Sequence, residues 1–252
     1  MTGTIEPTAP DDTGEPDVPA PRRSVLRLVD VVQSVPDGRS RRRVLAGVDL
    51  EVGEGELVVL MGPSGSGKTT LLRIAAGIDR PQGGTPIVDG EHLWVLSASQ
   101  VAELRRRTIG YVEQRWNLLD SLTVVENVAL PLELDGVHPR AAVRAAMAAL
   151  EEIDIVELAR QHPSSLSSGE QQRAAIARAL VGSRHLLIAD EPTGALDALA
   201  AEEVMRLVRR RCDEGGVAAL LATHDPAVAG WADRVVYLRD GVLSDHVARA
   251  FP

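Results

Sequence analysis

The sequence predicts an α/β fold: a doubly wound core sheet, a small antiparallel β subdomain, and an inserted α-helical subdomain. Three observations predict it. Buried strands alternate with helices, and three strands run into residues that carry chemistry, after Met61, at Asp190-Glu191 and at His224. Two strands of alternating apolar and polar residues precede the first buried strand, as in a small antiparallel sheet beside a parallel one. A helix-forming block from about 115 to 168 interrupts the α/β pattern.

The order of elements follows from local chemistry. Residues 1–23 read as a disordered acidic tail, with Pro7, Pro10, Pro16, Pro19 and Pro21 and no hydrophobic period. The folded domain is expected over 24–246, with a short tail at 247–252. Val25–Val32 reads as a strand, Gly38–Arg43 as a charged turn, and Val44–Val52 as a second strand. Glu56–Met61 is a buried strand and Leu71–Gly77 a helix with glycine as its stop. Ile87–Val88 runs into a hairpin turn at Asp89-Gly90, Val101–Arg107 is a short basic helix, and Ile109–Val112 is a strand ahead of Glu113-Gln114. In the helical block, Thr123 and Glu126 have capping-box spacing, Pro139 fits a first turn, and Ile153–Arg160 reads as a third helix. Beyond it come a helix over Glu170–Leu180, a strand over His185–Glu191, a helix over Ala198–Asp213 and a strand over Val217–Ala222. A hairpin about Asp240-Gly241 closes the domain.

Composition bounds the function. The 252 residues are 44% hydrophobic but only 2% aromatic, so the core must be aliphatic and few rings are free to stack on bases. The charge balance is 27 − 36 = −9, which argues against nucleic acid as a partner. Arg105–Arg107 and Arg209–Arg211 read as solvated helix faces. One cysteine, Cys212, allows no internal disulfide and reads as structural. His92, His138, His162, His185 and His246 are scattered, and no His/Cys set has metal-site spacing. No apolar run approaches the roughly 18 residues that would cross a membrane, so a membrane role is expected to need a partner.

The chemistry starts at Gly62-Pro63-Ser64-Gly65-Ser66-Gly67-Lys68-Thr69-Thr70, which fits G-x-x-x-x-G-K-[ST] between a strand and a helix. Glycines let successive amides curl inward around an anion, and a helix N-terminus adds its partial positive charge. Lys68 supplies a full charge to the β- and γ-phosphates, and the Thr69 hydroxyl is placed for Mg²⁺. The core is thus of the P-loop NTPase type. Asp190, after an apolar strand, suits Mg²⁺ held through water; Glu191 suits polarising an attacking water; His224 suits the γ-phosphate region; and Gln114 suits the metal or water shell.

At this point the chain resembles the ATP-binding subunit of ABC transporters, over roughly residues 24–246. Leu166-Ser167-Ser168-Gly169-Glu170-Gln171-Gln172-Arg173 looks like the family signature, Gly194-Ala195-Leu196-Asp197 like its D-loop, Gln114 like its Q-loop glutamine and His224 like its switch histidine. The resemblance implies the ABC ATPase fold and ATP hydrolysis with Mg²⁺. It implies a dimer in which Ser167, Gly169, Glu170 and Asp197 serve the partner's nucleotide. It also implies a separate membrane permease as partner, hence a place at the cytoplasmic face of the cell membrane. Asn117-Leu118-Leu119, Glu126-Asn127-Val128 and Asp190-Glu191-Pro192-Thr193-Gly194 look like the lipoprotein-release and macrolide-export branch, with cell-division members as close relatives. Three positions depart from the pattern. Val35 stands where an adenine-stacking aromatic is usual, Glu113 where an aromatic precedes the glutamine, and Ser168 where the signature has its first glycine. The rival readings are a signalling ATPase that moves no solute and a nucleic-acid machine. Against the latter stand a single phosphate loop and no coiled-coil insertion.

Overall fold

The computed structural model describes residues 22–38 and 40–246, with side chains up to Ser244. The tail read over residues 1–23 lies outside them except for Arg22 and Arg23, and the tail read at 247–252 lies wholly outside. Arg23 pairs with Asp89 at 2.9 Å and with Glu54 at 3.2 Å.

Two sheets carry the fold. The first is antiparallel, in the order β2–β1–β4–β5, built from β1 (Ser24–Asp37), β2 (Ser40–Gly53), β4 (Gly83–Val88) and β5 (Glu91–His92). The second runs β10–β9–β3–β8–β7–β6, from β3 (Leu57–Met61), β6 (Ile109–Val112), β7 (Leu186–Asp190), β8 (Ala218–Ala222), β9 (Arg234–Arg239) and β10 (Val242–His246). β6, β7, β8, β3 and β9 are parallel, and β10 is the antiparallel edge.

Period-two alternation splits the core strands between two hydrophobic layers. Leu57, Val59, Leu187, Ala189, Ala219 and Leu221 face one layer. That layer holds helices α3 (Val124–Leu134), α4 (Pro139–Glu151), α5 (Ser168–Leu180) and α6 (Ala198–Asp213). Val58, Leu60, Leu186, Ile188, Ala218 and Leu220 face the other, with helix α1 (Lys68–Ala75) and the antiparallel sheet. Burial on both faces explains why these strands read as continuous apolar runs. Close approach is tightest at Gly110 on β6, where a Cβ would run into the Ala179 carbonyl of α5.

Caps set the helix starts. Ser97 opens α2 (Ala98–Thr108), Thr123 opens α3 and Ser167 opens α5, each in a reciprocal capping box. Two expected elements differ. Arg41–Arg43 are not in a turn: the hairpin closes between Asp37 and Ser40, and Pro36 pairs with Arg41. Ladder pairing overrides the charge run there. Ile153–Arg160 is not a helix but a short 3-10 turn at Val156–Leu158, because Asp154 takes φ 56° and breaks the helical path. The structure adds a short helix α7 (Pro226–Ala229), capped by Asp225.

Among the described residues no helix is long and apolar enough to cross a membrane. Cys212 is buried, and burial pushes its thiol up to about 12. Arg209 is tied to Asp213 and Asp233, so that basic run is partly an inter-element clamp rather than only a solvated face.

Candidate active site

The carboxyl ends of β3, β7 and β8 meet because those strands are neighbours in the sheet. β3 delivers Gly62–Thr70, β7 delivers Asp190 and Glu191, and β8 delivers Thr223 and His224. More than a hundred positions of chain separate the first group from the second, and tertiary pairing alone unites them.

The phosphate loop is set by its glycines. Gly62 and Gly67 have φ 151° and 108°, and a Cβ on Gly67 would lie 2.8 Å from the Val44 carbonyl. Gly67 caps α1, whose first turn holds no acidic side chain, so its free amides are left for an anion. Lys68 Nζ folds back over the loop and donates to the carbonyls of Gly62 at 2.8 Å and Pro63 at 3.3 Å. Ser64, Gly65 and Ser66 form the bend between them, and Ser66 N donates to the Pro63 carbonyl at 3.1 Å. Thr69 and Thr70 follow on the first turn of α1.

The Thr69 hydroxyl donates to Asp190 Oδ2 at 2.6 Å, joining the loop to the acidic strand end. Burial holds the Asp190 carboxyl above the ordinary carboxylate range, opposed by that hydrogen bond. Glu191 has left the strand at φ 51°. Its carboxylate accepts from Thr223 Oγ1 at 2.9 Å and lies 2.8 Å from His224 Nδ1. The hydrogen bond and charge of Glu191 raise the His224 pKa although the ring is exposed. Gln114 is exposed on the turn after β6.

Ser167, Gly169 and Glu170 stand apart from this cluster, at the N-terminus of α5. Glu170 accepts from Ser167 N at 2.7 Å and from Ser167 Oγ at 2.8 Å, and these bonds hold its carboxyl low. Asp197 caps α6, accepting from Ala200 N at 2.9 Å. Within one chain, Glu170 and Asp197 are therefore occupied as helix caps.

Three further residues shape the site. Gln172, buried on α5, donates to the Glu191 carbonyl at 2.7 Å and accepts from Ala195 N at 2.9 Å. Thr223 is fully buried behind Glu191. Arg178 donates to the carbonyls of Trp116 and Asn117, both at 2.6 Å, and so fixes the turn that carries Gln114. Trp116 and Asn117 both hold positive φ there. For Gln172 and Arg178 the available signal was a polar residue within the largely apolar helix α5, and for Thr223 a hydroxyl at the end of a buried strand, where each needs a partner.

A glycine-lined anion cradle, an acid hydrogen-bonded to its threonine and a carboxylate–histidine pair, all on one sheet edge, are what a P-loop nucleoside triphosphatase presents to its substrate. Sequence comparison narrows this class. The ABC transporter family matches residues 45–194. The chain is 45% identical, over 87% of its length, to a macrolide export ATP-binding/permease protein, MacB, of Syntrophobacter fumaroxidans. It is 42% identical, over 86%, to that of Paracoccus denitrificans. It spans about a third of the length of such relatives, 31% and 32% of these two. Among solved structures, the dimeric bacterial ABC transporter cassette MJ0796 superposes with TM-score 0.86 at 36% identity, covering 90% of this chain and 100% of that one. A post-hydrolysis dimer of the same cassette with ADP and Pi gives TM-score 0.85 at 35% identity, with the same coverage. The chain belongs to the ABC transporter family, as one of its ATPase cassettes.

Proposed function

We propose that two copies of this cassette close head to tail on ATP and use its hydrolysis to drive a membrane permease of the macrolide-export or lipoprotein-release type. One observation carries the hydrolytic reading: Glu191, one residue past the Thr69–Asp190 contact, is held between Thr223 and His224. A carboxylate so oriented can accept a hydrogen bond from water and align it with the γ-phosphorus. Water oxygen then bonds to phosphorus as Glu191 takes its proton, the bond to the β-phosphate oxygen breaks with its electron pair going to ADP, and ADP and phosphate leave. Lys68 and the α1 amides receive the charge on the phosphate oxygens. His224 orients Glu191 through their hydrogen bond.

The oxygen donors Thr69 Oγ1 and Asp190 Oδ2, with Gln114 as a third candidate ligand, suit Mg²⁺, which commonly binds through one or two carboxylates and the substrate's own phosphates. Bound there, the ion would neutralise charge on the β- and γ-phosphates. Ser167 and Gly169, at an exposed helix N-terminus, suit the γ-phosphate of the other copy's nucleotide. The dimeric form of the similar MJ0796 cassettes supports this pairing. The relatives named as ATP-binding/permease proteins support a permease partner and, with it, a position at the cytoplasmic membrane face.

Steady-state turnover tests the reading. Glu191→Gln is expected to lower kcat by about 10²–10⁴-fold while ATP still binds, the range general-base catalysis supplies. Equal turnover by both proteins would remove Glu191 from its role. Light scattering with ATP should show dimers in that variant.

A further inference from the structure

We infer that Arg42 receives the nucleobase, with its guanidinium plane serving where no aromatic ring is available. This rests on the nucleotide site proposed above. A cleft of about 300 Å³ opens beside the phosphate loop, lined by Arg42, Arg43, Val44, Ser64, Gly65 and Asp240 among others, and no aromatic residue lines it; of the two arginines it is Arg42 that bonds to the loop. A nucleotide with its phosphates at Lys68 and the start of α1 has this cleft in which to lay its base. Arg42 is placed for that base. It pairs directly with Val35 across the β1–β2 ladder, so the two side chains share one face. Arg42 Nη2 donates to the Gly65 carbonyl at 3.1 Å, so that face looks onto the loop. Val35 is packed against the apolar core, whereas the Arg42 guanidinium is exposed. The neighbouring Arg41 is turned away, donating to the Ser34 carbonyl at 2.8 Å.

Arg42 donates to the Gly65 carbonyl, whereas the amides at the start of α1 are the groups that suit an anion. A guanidinium is planar and weakly hydrated, and it stacks on rings in a way an ammonium does not. A stacked plane reads a π-face common to all bases, so adenine and guanine should be held alike.

The test uses titration calorimetry with the imido analogues of ATP and GTP and with inorganic tripolyphosphate, all with Mg²⁺. The wild type should bind both nucleotides within about threefold of each other. Arg42→Ala should weaken both by roughly tenfold, the scale of one base stack, and leave tripolyphosphate unchanged. Arg42→Tyr should keep the affinity, and Arg42→Lys should not. Loss of tripolyphosphate binding in Arg42→Ala, or rescue by lysine, would make Arg42 a phosphate ligand and overturn the inference. So would unaltered nucleotide binding. A wild type that binds neither nucleotide nor tripolyphosphate would instead remove the nucleotide site itself, and the assignment with it.

Discussion

The loop edge of the core sheet and the N-terminus of α5, the two anion sites of the proposed dimer, are built on opposite principles. The first is assembled from three strand ends far apart in sequence, and its groups already hold one another: Lys68 on Gly62, Thr69 on Asp190, Glu191 on Thr223 and His224. The second is local, a capping box within four residues, and it faces outward. The difference teaches that the groups of the loop edge are brought together within one chain, whereas in the proposed dimer the α5 terminus meets a nucleotide only when another chain supplies it. Gln172 is the physical link between them, since it sits on α5 and holds the Glu191 carbonyl.

The sharpest way to separate the two is Gly169→Asp. A Cβ here meets only ordinary contacts, at 3.4 Å from the Ala195 carbonyl and 3.5 Å from Leu196. An acid in a first turn also suits the helix dipole, so the melting temperature should hold. Against a partner's γ-phosphate the same charge is repulsive. Turnover should fall on the order of a hundredfold. Nucleotide binding to the isolated chain should not change. Intact turnover would show that the α5 terminus meets no nucleotide.

A smaller effect probes the link. Gln172→Leu keeps the apolar stripe but strips the Glu191 carbonyl of one of its two donors, leaving only Gly194 N at 3.1 Å, and leaves the half-buried Ala195 amide unpaired, costing about 1–3 kcal/mol of stability. Misplacing Glu191 should lower kcat roughly tenfold to a hundredfold with KM little altered. A change in KM alone would cut the proposed connection.

The smallest effect is electrostatic and confined to the loop edge. Glu191 raises the His224 pKa above its ordinary 6.5. A raised pKa means the pair stabilises the fold fully below the unfolded-state value and loses that contribution as pH rises through the folded-state value. NMR titration should place His224 above 6.5 in the wild type and return it toward 6.5 in Glu191→Gln. An identical titration in both would mean that the contact does not persist in solution.

Most of the fold was legible because its signals are local. Alternation marked β1 and β2, apolar runs marked β3, β7 and β8, and Gly77, Thr123 and Pro139 marked helix ends. The failures were where local signals compete with tertiary ones. The Arg41–Arg43 run reads as a turn until the ladder with β1 claims it. The Ile153–Arg160 stretch reads as a helix until Asp154 adopts a left-handed conformation. In the site, residue types and their order were legible, but the partners were not. Arg178 and Thr223 carry no motif, and Gln172 lies in the signature stretch without a role legible there; their roles arise from what lies opposite them in space.

The sequence by itself determined a phosphate loop, an acidic strand end and a signature helix in their order along one chain. The glycine positions, the apolar periods and the caps are short-range constraints written residue by residue. Only the tertiary structure decided that β3 lies beside β8 and β8 beside β7, which sets Lys68, Asp190, Glu191 and His224 on one edge. Strand order comes from which buried faces pack together, and that is a property of the whole core rather than of any window of sequence. The same packing left the α5 terminus looking outward, and brought the Arg42 guanidinium onto the loop.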